Sequence, residues 1–313
     1  MKIRLGYVAL SKTIDITSSH SFSYSNFLKN NEDFQKLDEI IKLNLQSLNQ
    51  IIDYNIKNNI HFYRISSNLI PLASMKKIKF NYINKFKNLY KEIGNKIKKY
   101  NIRVDMHPDQ FTVLNSTKKE VLDNTFEILN YHYNVLDALN IEEKVLILHV
   151  GSNVFGKNAS ITRFINNFNK LPNHIKKSIV IENDDKIFNI IDTLELCERI
   201  NRPMVLDYHH YICNNGNIEI KDFYKKIFST WKNINPKIHF SSPKNKTKKD
   251  IRSHHDYINS DDFISFIEQV KYLNFDLDIM LEAKAKDEAL FRLIRELKYK
   301  TNYKFIDETT FEV

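Results

Sequence analysis

KVLILHV, residues 144–150, is an almost unbroken apolar run that ends next to a histidine. Consecutive Val, Ile and Leu without polar alternation suit a strand covered on both faces, as in a parallel sheet. The pattern repeats in both directions. SIVIE (178–182) ends on Glu182, and PMVLDYHH (203–210) carries Asp207, with His209 and His210 just beyond it. Upstream, RVDMH (103–107) ends on His107. Downstream, PKIH (236–239) ends on His239 and DIMLE (278–282) on Glu282. Eight strand-like segments are read in all: Ile3–Leu10, His61–Ser66, Ile102–His107, Lys144–Val150, Ser178–Glu182, Met204–Tyr208, Lys237–Ser241 and Asp278–Glu282.

Longer, more polar stretches separate them. Phe34–Asn59 places Leu37, Ile40, Ile41, Leu45, Leu48, Ile51 and Ile52 at helical spacing. Ile78–Tyr100, Lys118–Leu139, Ala159–Lys176, Phe188–Ile200, Lys221–Asn233, Asp261–Leu273 and Asp287–Lys298 read similarly. Ser116 or Thr117, Asn158 and Ser260 are expected to cap three of these helices. Eight β–α units in succession predict an α/β protein, a single-domain (β/α)8 TIM barrel over residues 1–313.

The composition agrees with one large core: 313 residues, 42% hydrophobic, 12% aromatic, with 5 Gly, 6 Pro and no low-complexity linker. The net charge of +9 fits either a solvated lysine-rich surface or attraction to a polyanion such as nucleic acid. Two cysteines, Cys197 and Cys213, make no disulfide framework and fit a reduced cytoplasm. MKIRLGYVAL reads as a first strand rather than a signal segment, and no apolar run is long enough to span a bilayer. Nothing points to an obligate protein partner.

A TIM barrel aims the C-terminal ends of its strands into one mouth. A lone histidine after a strand is more often structural than a ligand. Here five of the 11 histidines (His107, His149, His209, His210, His239) share that rim with Glu182, Asp207 and Glu282. Imidazoles with carboxylates suit Zn, Mn or Fe and disfavour an all-oxygen calcium site. Glu182, central in strand order, is the natural bridging carboxylate. Two or three such ions can clamp the attacking and leaving oxygens of a phosphodiester.

Nine segments, in order, resemble the UV damage endonuclease family: RLGYVALS (4–11), FYRISSNLIPLAS (62–74), MHPDQFT (106–112), LHVGS (148–152), IENDD (181–185), LDYHHY (206–211), KIHFSSPK (237–244), RSHHDYI (252–258) and MLEAKAKD (280–287). The resemblance implies a metal-dependent barrel, related in architecture to endonuclease IV. Such an enzyme nicks double-stranded DNA 5′ to UV photoproducts and some other lesions, including abasic sites. It implies two or three divalent ions, Mn2+ first, with Zn2+ or Mg2+ as alternatives. By motif, their ligands fall on His107, His149, Glu182, Asp207, His210, His239, His254 and Glu282, with His209 and His255 as non-ligands. Lys237 becomes an active-site lysine beside the metals. Gln110 and Phe111 become a wedge at the lesion, and Tyr7 a further rim aromatic. Phe111 stands where the family often has Tyr and keeps only the stacking surface.

Met75 stands where relatives usually carry His, and Ser11 where some carry Asn; a thioether is a poor proton donor. Lys244, Lys246, Lys248 and Lys249 are candidate phosphate contacts, or equally a solvated loop. Three rivals remain. A general abasic-site endonuclease would share the metals and differ at the probing residues. A sugar isomerase on the same barrel would lean on carboxylates and need no wedge. A non-catalytic DNA-binding protein would not keep eight ligands.

Overall fold

A computed structural model describes residues 1–29, 33–245, 247 and 250–313. All eight expected strands form: β1 Lys2–Val8, β2 Phe62–Ile65, β3 Arg103–Met106, β4 Leu146–His149, β5 Ile179–Glu182, β6 Met204–Asp207, β7 Lys237–Phe240 and β8 Leu277–Leu281. Neighbours pair in parallel, in chain order. The barrel closes where β8 pairs with β1, from Ile3 opposite Leu277 to Tyr7 opposite Leu281. The main helices are α1 Phe34–Lys57, α2 Lys87–Lys99, α3 Lys119–Ala138, α4 Lys157–Asn169, α5 Ile190–Ile200, α6 Tyr224–Ser229, α7 Ser260–Val270 and α8 Lys286–Lys300.

Strand-to-helix alternation decides what faces where. In β1, Ile3, Leu5 and Tyr7 turn outward to the helices and join the main hydrophobic core. The barrel interior holds a separate small cluster of Val145, Ile147, Val180, Val205 and Trp231. Arg103 lies over the Trp231 ring and pairs with Asp278 at 2.7 Å. Above this plug the interior is charged. Gly6 permits the close approach of β1 and β2, because a Cβ there would collide with the Phe62 carbonyl oxygen.

Glycine is scarce, so asparagine takes the left-handed residue that ends a helix before the next strand. Asn59, Asn101, Asn140, Asn201 and Asn274 all have φ between 50° and 55°.

Four expectations shift. Ile78–Tyr100 breaks into Tyr82–Lys85 and α2, and Ala159–Lys176 breaks before Pro172. Asn158 lies inside α4, whose N-cap is Gly156, and α7 is capped by Asn259 rather than Ser260. Ser116 bonds the Lys118 N–H at 3.1 Å just before α3. The pairs Leu10–Ser11 with Ile16–Thr17 and Lys304–Phe305 with Thr310–Glu312 were not expected. The latter covers the lower edge of β1, below where β2 begins to pair.

Candidate metal centre

The strand ends bring six of the other expected ligands around one carboxylate, that of Glu182. Glu182, the last residue of β5, is almost fully buried. Its Oε2 lies 2.9 Å from His107 Nε2 and 3.7 Å from His149 Nε2. Its Oε1 lies 3.0 Å from His239 Nδ1 and 3.3 Å from His210 Nδ1. One carboxylate thus faces four imidazoles, two on each oxygen.

Asp207 ends β6 and caps the short helix Tyr208–Cys213, its Oδ1 accepting the His210 N–H at 2.8 Å. Its Oδ2 is buried with no hydrogen-bond partner, 3.6 Å from His210 Nδ1 and 3.9 Å from His239 Nδ1. Glu282 Oε1 lies 3.3 Å from His239 Nδ1. His254 donates from Nδ1 to the Glu282 carbonyl at 2.7 Å, which leaves Nε2 free of that bond. His255 is exposed, and its Nδ1 accepts the Tyr257 N–H. His209 is saturated, with Nδ1 2.5 Å from Ser241 Oγ and Nε2 2.6 Å from the Ile251 carbonyl.

Among the described residues three groups bring their ligand atoms within 4.8 Å of one another: His107, His149 and Glu182; Glu182, Asp207 and His210; Asp207, His239 and Glu282. Burial pushes the His239 pKa down to about 4, so its imidazole is neutral, the form that ligates a metal. Burial pushes the Asp207 carboxyl well up, because its charged form is desolvated there. The orphaned Asp207 Oδ2 and His239 Nδ1, together with the nitrogen–oxygen donor set, fit divalent metal ions.

Three residues that support this centre were not singled out in the sequence. Asn183 follows Glu182 and staples β5 to β6: it donates to the Asp207 carbonyl at 3.0 Å and accepts the Asp207 N–H at 2.9 Å. Arg64 of β2 reaches Glu282 Oε1 at 2.6 Å and His239 Nε2 at 2.6 Å. Asp105 of β3 pairs with Lys237 and lies 3.4 Å from Arg64. The available signal was alternation: Arg64 shares a face with Phe62, and Asp105 with His107. Lys237 shares the inward face with His239 as expected. Its Nζ is completely buried against Asp105 and above the Phe62 ring, one layer beneath the cluster. Burial brings its pKa down to about 7.

The rim residues divide. Gln110 and Phe111 are exposed beside a cavity of about 360 Å3 that Gln110 lines with Arg64, His107 and His149. Tyr7 is not on the rim. It turns outward, is fully buried, and donates to Asn55 Oδ1 of α1 at 2.8 Å, because β1 alternation gives the mouth to Val8 instead. Met75, in the loop after β2, is half-buried against the core. Ser11 is buried and bonds Asp287 at 2.7 Å. Lys244 is exposed, while Lys246, Lys248 and Lys249 lie outside the described residues. A larger cavity of about 420 Å3 opens at the opposite end, but its Arg4 and Arg103 are committed to Asp278.

Fold and site together define a TIM-barrel protein with a buried imidazole–carboxylate centre suited to divalent ions. The family described as UV-endonuclease UvdE matches residues 3–311. A UV DNA damage endonuclease of Bacillus cereus (strain B4264) is 39% identical over 95% of both chains. One from Bacillus anthracis is 38% identical over the whole of both. A crystal structure described as SacUVDE superposes with a TM-score of 0.87 at 35% identity, covering 95% of this chain and 98% of that one. Endonuclease IV from Thermus thermophilus shares the fold, with a TM-score of 0.57 at 10% identity over 95% of this chain and all of that one. The chain belongs to the UV-endonuclease UvdE family, and is thereby a DNA-repair endonuclease. Among the described residues no helix is long and apolar enough to cross a membrane.

Proposed function

We propose that this protein cuts duplex DNA on the 5′ side of UV photoproducts, and also at abasic sites, by metal-assisted hydrolysis in the cytoplasm. Two or three divalent ions, Mn2+ first among them, would be held by His107, His149, Glu182, Asp207, His210, His239, His254 and Glu282. When bound, the ions supply Lewis-acid polarisation of the phosphodiester and lower the pKa of water. The single observation that carries the reading is Glu182, with a pair of imidazoles on each oxygen. A carboxylate so placed can bridge two ion positions.

The chain's own residues have separable parts. Arg64 cannot deprotonate, so it holds the Glu282 carboxylate by donation only. Asp105 holds Arg64 from below and is itself paired with Lys237, which makes Lys237 a positioning residue. Gln110 and Phe111, exposed over the mouth, enter the gap at a lesion, where damaged bases unstack at low cost. The basic surface binds phosphates and is sensitive to salt.

The test uses end-labelled duplexes carrying a photoproduct, an abasic site or no damage. With Mn2+, the expected product is a nick 5′ to the photoproduct, lost with chelator and in Glu182→Gln, which should also carry less metal. Undiminished cutting in either case refutes the metal mechanism. Cutting at abasic sites alone would indicate a general abasic-site endonuclease.

A further inference from the structure

We infer that Phe155 is a second base-stacking residue of the DNA-binding rim, held with Phe111 on one platform by Asn115. The inference rests on the reading of the protein as a DNA-cutting enzyme and names a residue that reading did not include.

Phe155 lies in the loop that follows β4, directly beyond His149. The residue is 82% exposed, against 72% for Phe111 in the neighbouring loop. Its backbone is left-handed, at φ 65°. Among the described residues asparagine fills half of the non-glycine positions with positive φ, and a bulky side chain there is strained. Exposing the ring recovers nothing in the free protein. Strain and exposure coincide only where the surrounding structure enforces them, and such positions cluster at functional sites.

The enforcement is visible. The Arg163 guanidinium sits 5.9 Å from the centre of the Phe155 ring. It donates to the Asn115 carbonyl at 3.0 Å, the Val154 carbonyl at 2.5 Å and Ser160 Oγ at 2.9 Å. Gly156 follows at φ 88°, and a Cβ there would meet nothing within 4 Å. One side of the turn is therefore bare.

Asn115 joins this loop to the one that bears Phe111. It is fully buried, accepts the Ser152 N–H at 2.9 Å and donates to the Ser152 carbonyl at 2.8 Å. The two exposed phenyl rings thus stand on adjacent strand-end loops locked to one another. Asn115 and Arg163 are positioning residues for them.

The occupant that fits is an unstacked base with its phosphate. Every base offers a π-face to an aromatic ring, and Arg163 beneath Phe155 supplies cationic charge beside it. The net charge of +9 favours a polyanion over an apolar protein partner.

The experiment compares Phe155→Ala, Phe155→Tyr and Phe111→Ala with the wild type. Binding is measured in chelator on irradiated duplexes with 2-aminopurine flanking the lesion. Phe155→Ala is expected to weaken binding roughly tenfold and to restore 2-aminopurine fluorescence, since stacking quenches it. Phe155→Tyr should match the wild type in both. Thermal midpoint and metal content should be unchanged or, for the midpoint, raised. Wild-type binding and quenching in Phe155→Ala overturn the inference. Nicking by the wild type is scored separately. Its absence refutes the functional reading, while the quenching comparison still decides the role of Phe155.

Discussion

Asn183→Ala should damage stability and metal binding together. Asn183 is fully buried, and its side chain makes both hydrogen bonds to the backbone of Asp207, at 3.0 and 2.9 Å. Truncation leaves one carbonyl and one N–H in a dry site without partners. Each buried unsatisfied group costs about 1–3 kcal/mol, so two should cost roughly 2–6 kcal/mol. The strands beside it cannot compensate, since β5 and β6 are in register only at Ile181–Met204 and Glu182–Val205. Asp207 would then lose the partner that fixes its backbone, and ligands released in this way lose about 10- to 100-fold in metal affinity. Urea unfolding in chelator isolates the first effect, and calorimetric Mn2+ titration of folded protein measures the second. A loss below about 1 kcal/mol with unchanged Mn2+ affinity would falsify the claim that Asn183 builds the centre.

Other outcomes follow from single sites. Gln110→Ala should lower affinity for damaged duplex more than for undamaged duplex; equal losses in gel-shift titrations would make Gln110 a structural loop residue. Met75→His should leave metal content unchanged and raise single-turnover cleavage roughly tenfold if the imidazole joins proton transfer; an unchanged rate marks Met75 as packing. His132, buried on α3 with Nδ1 2.7 Å from the Ile128 carbonyl, has its pKa pushed down by burial from 6.5 to about 4. The folded value lies below the unfolded one. Its stabilising contribution is therefore complete above pH 6.5 and is lost as pH falls through 6.5 towards 4, up to roughly 3 kcal/mol. His132→Leu should flatten that acid limb in urea midpoints measured across pH, and an unaltered limb would refute the assignment.

What could be read from the sequence and what could not divide along one physical line. Strands and the strand-end positions of the candidate ligands were legible because both depend on local pattern. An apolar run such as VLIL must be covered on both faces, and its last residue must then reach the mouth. Tyr7 failed because position at a strand end does not fix the side. One step along β1 separates the helix layer, which holds Tyr7, from the mouth, which takes Val8. Lys237 was placed on the correct face by counting from His239. Its depth was hidden, because Asp105 and Arg64 come from strands more than 130 residues away. Asn183 had no pattern at all: an Asn after a Glu reads as a loop residue until Asp207 is brought beside it. The centre is therefore specified at two levels. Residue type at strand ends selects the ligands. Long-range partners such as Asn183, Arg64 and Asp105 fix their orientation, and only the closed barrel brings these together. This division explains why the family pattern points directly to a candidate ligand set, while substitutions at Asn183 or Asp105 should be the more informative probes of how this chain tunes the cluster.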